Sequence, residues 1–120
     1  MTSLQKVSLA LKVAEERKAL EPVTLDLRKL TLITDYFVIC QGTSDVHIRA
    51  IADALLERFE KAGLRPLGVE GHREARWVLL DLGDLVIHIF SAEVREYYAL
   101  ERLWADAPRL ELAQREEALS

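Results

Sequence analysis

What this 120-residue chain lacks excludes more function classes than any motif it contains. Cys40 is its only cysteine, which rules out an internal disulfide and a thiolate zinc cluster. Set inside the apolar run Tyr36-Phe37-Val38-Ile39-Cys40, it is expected to behave as a small buried hydrophobe. Histidine is nearly as sparse. His47, His72 and His88 fall on an expected helix, loop and strand, with no i, i+2 or i, i+4 pair from which a metal site is readily built. No apolar run approaches the roughly 20 residues needed to cross a bilayer, so no membrane partner is expected. The first twenty residues hold no long apolar stretch and carry Glu15 and Glu16 among their cations. That fits neither a signal nor a transit peptide, and the expected location is cytoplasmic. A basic stripe is also missing. Arg17, Lys18, Arg28, Lys29, Arg73 and Arg76 are scattered between acids, and the net charge is −4. Little direct contact with nucleic acid is therefore expected, and a basic protein is the favoured kind of partner.

What is present reads as one small domain. Half of the residues are apolar and 30% are charged, the balance of a globular protein with a single core. Residues 1–106 are assigned to an α/β domain, and 107–120 to a tail that forms a weak helix or frays. Thr2 and Gln5 have the form of a capping box, and Leu4, Val7, Leu11 and Ala14 repeat at helical spacing, so a first helix is predicted to about Leu20, stopped by Glu21-Pro22. Val23, Leu25 and Leu27 share one face of a strand, and Asp35 to Gln41 is an apolar run suited to a strand covered on both faces. Arg28 to Thr34 reads as loop or strand. Ser44 or Asp45 caps a second helix, on which Val46, Ala50, Ile51, Ala54, Leu55, Arg58 and Phe59 follow the helical period to Gly63. Leu64 to Val69 is a short strand, and residues 70–74 a polar loop. A hairpin and a third helix, opened by Ser91 and Glu93, complete a mixed sheet flanked by helices.

The segment from Ala75 to Trp104 concentrates the aromatic residues Trp77, Phe90, Tyr97, Tyr98 and Trp104 around His88. Its faces depend on the hairpin turn. A two-residue loop pairing Trp77 with His88 would put Leu82 at positive φ, so a three-residue loop is favoured, with Gly83 left-handed, Val78 opposite Val86, and Trp77 on the face of Leu85 and Ile87. Tyr97, Leu100 and Trp104 then form a helical stripe that places Leu100 and Trp104 in the core. Tyr98 lies about 100° from Tyr97 and points away from that stripe. A partly exposed Tyr98 near Trp77, rimmed by Arg76, Arg95 and Asp84, would have the makeup of a protein-binding hot spot.

Catalytic readings fare worse. Gly42-Thr43-Ser44 stands between a strand and a helix N-terminus, where a phosphate could sit, but capping the helix explains it equally. Asp81 and Asp84 are three apart across a turn, not the closely spaced pair that holds divalent metal. Ser44, Ser91 and Cys40 lack an evident base. No catalytic, cofactor or metal residue is assigned.

Taken in order, Asp35-Tyr36-Phe37-Val38-Ile39, Gly42 with Ser44, His47, Ala50-Ile51-Ala52-Asp53, Glu70-Gly71, Trp77 to Asp81 with Gly83-Asp84, His88-Ile89-Phe90 and Arg95 to Trp104 resemble the ribosomal silencing factor family, RsfS or Iojap, over about residues 4 to 106. Ser91-Ala92 departs from the family's more usual pair. The resemblance implies a nucleotidyltransferase-like core without the active site. It also implies binding to the large ribosomal subunit through its protein fourteen, which blocks subunit joining and represses translation. Carried over by position, the contact residues are Trp77, Asp81, Asp84, His88, Arg95, Tyr97 and Tyr98. An exposed apolar patch of this kind would also suit a homodimer.

Overall fold

The computed structural model of the chain describes residues 1–110, so the expected weak helix or frayed end over 111–120 lies outside the described residues. Helix α1 spans Ser3–Glu16, β1 Leu20–Asp26, β2 Tyr36–Gly42, α2 Asp45–Lys61, β3 Gly68–Glu70, β4 Trp77–Asp81, β5 Leu85–Ser91, α3 Ala92–Tyr98 and α4 Leu100–Leu103. The five strands form one sheet in the order β1-β2-β5-β4-β3. Only β2 and β5 are parallel, and they are its centre. The mixed α/β architecture expected from the crossover through residues 45–62 is the one observed.

Local chemistry explains most helix ends. Thr2 Oγ1 accepts from the Gln5 N–H while Gln5 Oε1 accepts from the Thr2 N–H, completing the capping box. The helix then stops at Glu16, short of the Leu20 expected. Lys18 adopts φ 59°, and the bonds Ala19 N–H to Ala14 O and Lys18 N–H to Glu15 O close a Schellman turn with lysine where glycine is usual. Freed from the helix, Leu20 opens β1. Glu21-Pro22 is an irregularity in that strand, with Glu21 at φ 50° and the pairing shifted between Leu20 and Val23. Ser44 caps α2, and Gly63 at φ 81° follows its end. The buried face of α2 is Ile48, Ile51, Ala52, Ala54, Leu55 and Phe59; Val46 and Ala50, counted on that face from periodicity, point to solvent from the first turns. Strand β3 is shorter than expected because Pro66 has no N–H to add to a ladder. Residues 28–34 are a loop.

Two layers cover the sheet unequally. On the first face Tyr36, Val38, Cys40, Val78, Leu80, Leu85, Ile87 and Ile89 pack beneath α1 and α2. Burial there pushes the Cys40 thiol up to about 12 and leaves it an inert apolar group. On the second face Leu25, Leu27, Ile39 and Phe90 form a smaller core with Ala107, and Phe37, Trp77, Leu100 and Trp104 are only partly enclosed. Residues 107–110, the described part of the expected tail, stay on the domain: the Asp26 N–H donates to Pro108 O at 2.8 Å and the Leu110 N–H to Thr24 O at 3.0 Å.

The hairpin overturns both registers considered from the sequence. Leu82 N–H donates to Leu85 O at 2.8 Å, so the turn is the two-residue Gly83-Asp84, and Trp77 pairs with Phe90, Val78 with Ile89 and Leu79 with His88. Gly83 alone takes positive φ, at 87°, as turn chemistry required, but at the first central position of the tight turn and not in a bulge. Because partners across an antiparallel pair share a face, Trp77 lies with His88 and Phe90, not with Leu85 and Ile87. A tertiary contact supports this register: the Asp84 carbonyl accepts from both Asp35 N–H and Tyr36 N–H at 3.1 Å, tying the turn to the start of β2.

Candidate functional site: an aromatic plate on the second sheet face

Alternation along β4 and β5 aims Trp77, Leu79 and Asp81 to the same side as Val86, His88 and Phe90. Trp77 is the hub. Its ring lies 4.9 Å from Phe90 and 4.8 Å from Tyr98 between centroids, and Tyr98 in turn is 5.0 Å from Tyr97. Across His88 the rings continue, Phe37 at 4.5 Å and then Trp104 at 5.9 Å from Phe37. A run of rings therefore crosses the sheet from α3 to the far side of β2. Tyr98 is 48% exposed and Tyr97 80%, so the run ends in open tyrosines.

His88 organises the centre. It is 3% exposed, and burial pushes its imidazole down to about 4, so at neutral pH the ring is uncharged. The Trp77 Nε1–H donates to His88 Nδ1 at 3.0 Å; an indole nitrogen only donates, so Nδ1 is the acceptor and the ring proton sits on Nε2. That bond fixes the tilt of Trp77, and through it the seat of Tyr98.

The expected stripe of Tyr97, Leu100 and Trp104 does not exist as one helix. Ala99 adopts φ 47° and divides α3 from α4. The break is held by Arg95, whose guanidinium pairs with Glu101 and donates to Gln41 Oε1 at 3.2 Å. Leu100 and Trp104 turn inward onto the second core, while Tyr97 is left outside. A further difference concerns Asp84. Its carboxylate pairs with Lys6 Nζ at 2.7 Å and accepts from Ser3 Oγ at 2.8 Å. Burial acts to raise its pKa, but these hydrogen bonds outweigh it and hold the group below the usual carboxylate range.

Of the residues carried over by resemblance, Trp77, His88, Tyr97 and Tyr98 meet in the plate, and Asp81 lies further along the same face of β4. Arg95 and Asp84 have internal partners. Phe37, Leu79, Val86 and Ile33 border the same surface and were missed. Phe37 could have been found by its alternation, since Tyr36 and Val38 flank it on the opposite face.

A broad concavity lies elsewhere, at the carboxyl ends of β2 and β5, between Gly42-Thr43-Ser44 and Ser91 to Val94. Asp81 and Asp84 stand at the opposite end of those strands, roughly 20 Å away by strand rise. The Gly-Ser turn and the carboxylates thus never form one site. Gly42 is required by packing, for a Cβ there would lie 2.7 Å from Ile48 Cγ1. His47 spans two helices, with Nδ1 accepting from Thr43 N–H and Nε2 2.7 Å from the Arg17 carbonyl. Among the described residues no three His, Cys, Asp or Glu side chains converge as metal ligands, and no helix is long and apolar enough to cross a membrane.

Fold and site define an α/β domain whose distinctive surface is a ring-lined sheet face. The sequence pattern of the family described as "Ribosomal silencing factor during starvation" matches residues 1–120, and the chain belongs to that family. It is 41% identical over 112 residues to the Ribosomal silencing factor RsfS of Halalkalibacterium halodurans, covering 93% of this chain and 96% of that one. It is also 39% identical over 74 residues to the mouse protein named Mitochondrial assembly of ribosomal large subunit protein 1, covering 59% of this chain and 32% of that one. A crystal structure of a Chromobacterium violaceum protein matches with TM-score 0.85 at 33% identity, over 88% of each chain.

Proposed function

We propose that this protein is a translational repressor that binds the large ribosomal subunit through its protein fourteen and blocks subunit joining by bulk. Family membership supports the ribosomal setting, and the mouse relative's name points to the large subunit. The observation that carries the reading is the plate itself: Tyr98, half-exposed, tilted against a Trp77 locked by His88. Rigid aromatic anchors beside solvent are the usual centres of protein recognition. Trp77, His88, Tyr97 and Tyr98 form the centre of the proposed contact, with Asp81 beside it; Arg95 and Asp84 contribute by holding α3 and the hairpin in place. Exclusion requires no chemistry. A body of 33 × 32 × 25 Å seated between two surfaces that must meet keeps them apart. The fold is accordingly read as a nucleotidyltransferase-like core without the catalytic set, acting in the cytoplasm. The net charge of −4 favours a basic ribosomal protein over RNA. Unoccupied, the plate would suit a second copy, giving a homodimer at high concentration.

Sedimentation with purified large subunits tests the reading. The wild type is expected in the heavy fractions, and Trp77→Ala and Tyr98→Ala are expected to stay at the top of the gradient while retaining the native circular dichroism spectrum. Equal cosedimentation of both variants would remove the plate from the contact.

A further inference from the structure

Residues 92–103, AEVREYYALERL, hold no glycine or proline and consist mainly of good helix formers, so their local preference is one unbroken helix. The folded chain breaks that helix at Ala99, where φ is 47°. A left-handed conformation is disfavoured for a residue with a Cβ, and alanine is the strongest helix former of all. The Arg102 N–H turns to Ala99 O at 2.8 Å, where an unbroken helix would aim it at Tyr98 O. What opposes the local preference is a pair that a straight helix forbids. Positions six apart on a helix lie roughly 240° around the axis and about 9 Å along it. Here the Arg95 guanidinium nonetheless grips the Glu101 carboxylate and also reaches Gln41 Oε1 on β2 at 3.2 Å. The two side chains are only 11% and 23% exposed, so salt screens the pair less than it would on open surface.

Little else holds the bend. Neither α3 nor α4 has a buried residue. Leu100 and Trp104 only lean on the second core, Trp104 meeting Phe37 edge-on at 5.9 Å, before Ala107 and Pro108 fasten the chain again. Elements with so few buried contacts open at low cost. We propose that Arg95 and Glu101 form the latch of a two-state strap. Paired, they hold the segment bent over the second face; parted, they let residues 92–103 straighten into one helix, which lifts Leu100 and Trp104 and bares Phe37 and the core beneath. The latch sets how much apolar sheet the protein exposes, and it stands whether or not the ribosomal docking does.

Nuclear magnetic resonance on the full chain tests it. In the wild type the Hα-to-amide-proton contacts of an unbroken helix, from Tyr97 to Leu100 and from Tyr98 to Glu101, are expected to be absent. Arg95→Met removes the pair at equal helix preference. It should bring both contacts in and slow amide exchange at Leu100 and Glu101 about tenfold or more. Adding Ala99→Gly should reverse this, because glycine takes the left-handed bend without a Cβ penalty and is a poor helix former. If Arg95→Met does not fold, Glu101→Met removes the same pair and is read the same way. A bend that persists at Ala99 in the folded variant would overturn the proposal. So would loss of every helical contact over 92–103, since the pair would then be holding the segment folded and not bent.

Discussion

The two faces of the sheet use the same strands for opposite ends. Under α1 and α2, Val38, Ile87 and Leu80 lie side by side across β2, β5 and β4, each buried and each surrounded by aliphatic neighbours. One residue along, Phe37, Val86 and Asp81 face the other way, toward a layer that covers only part of them. The first face is built for stability, and the second is left unfinished, its aromatic residues stabilising one another while keeping an edge in water. A sheet with helices on one side and a broken helix on the other can separate folding from recognition.

Three measurements would break or sharpen that contrast. The largest effect is expected on the first face: Ile87→Ala leaves a cavity under two helices and should cost about 3 kcal/mol in urea unfolding, while the folded fraction binds large subunits as before. If binding falls as far as it does in Tyr98→Ala, the two faces are not separable.

The second concerns acid. The His88 pKa is pushed by burial from 6.5 to about 4, so between those values the unfolded chain binds a proton that the folded chain refuses. Its stabilising contribution is complete above pH 6.5 and is lost as pH falls toward 4. About 2 kcal/mol should disappear between pH 7 and pH 5, and His88→Phe should remove that slope. Asp84, held low by Lys6 and Ser3, acts in the same direction in a lower window, below its ordinary value near 3.8. An unchanged slope in His88→Phe would mean the second face is wetter than its geometry shows.

The smallest effect is on the plate's rim. Tyr98→Ala removes one ring contact with Trp77 and should cost about 1 kcal/mol or less in unfolding, against a large loss of subunit binding. A cost near that of Ile87→Ala would make Tyr98 a core residue.

Much of the frame was readable from spacing. The central apolar strand, the cap at Ser44, one of two candidates with Asp45, the glycine stop at Gly63 and the partly exposed Tyr98 beside Trp77 all stand where the chain implied. The face of Trp77 did not, because turn preference at Leu82-Gly83 could not weigh the bonds from Asp35 and Tyr36 that anchor Asp84. Periodicity likewise ran Tyr97, Leu100 and Trp104 into one stripe, blind to the Arg95 pairing with Glu101 and Gln41 that breaks the helix at Ala99. The surface bordering the plate joins residues of β2, β4 and β5 with the 28–34 loop, so no local window contained it.

The amino-acid order alone determined the capping box at Thr2 and Gln5, the caps at Ser44 and Ser91, and the left-handed Gly83, because each is decided by donors, acceptors or backbone freedom within a few residues. Tertiary structure alone decided which face carries Trp77, where the third helix breaks, and that Asp84 belongs to Lys6, some eighty residues away in the chain. Those outcomes depend on groups that meet only after the sheet has formed, and their energies outweigh the weak local preferences that point elsewhere.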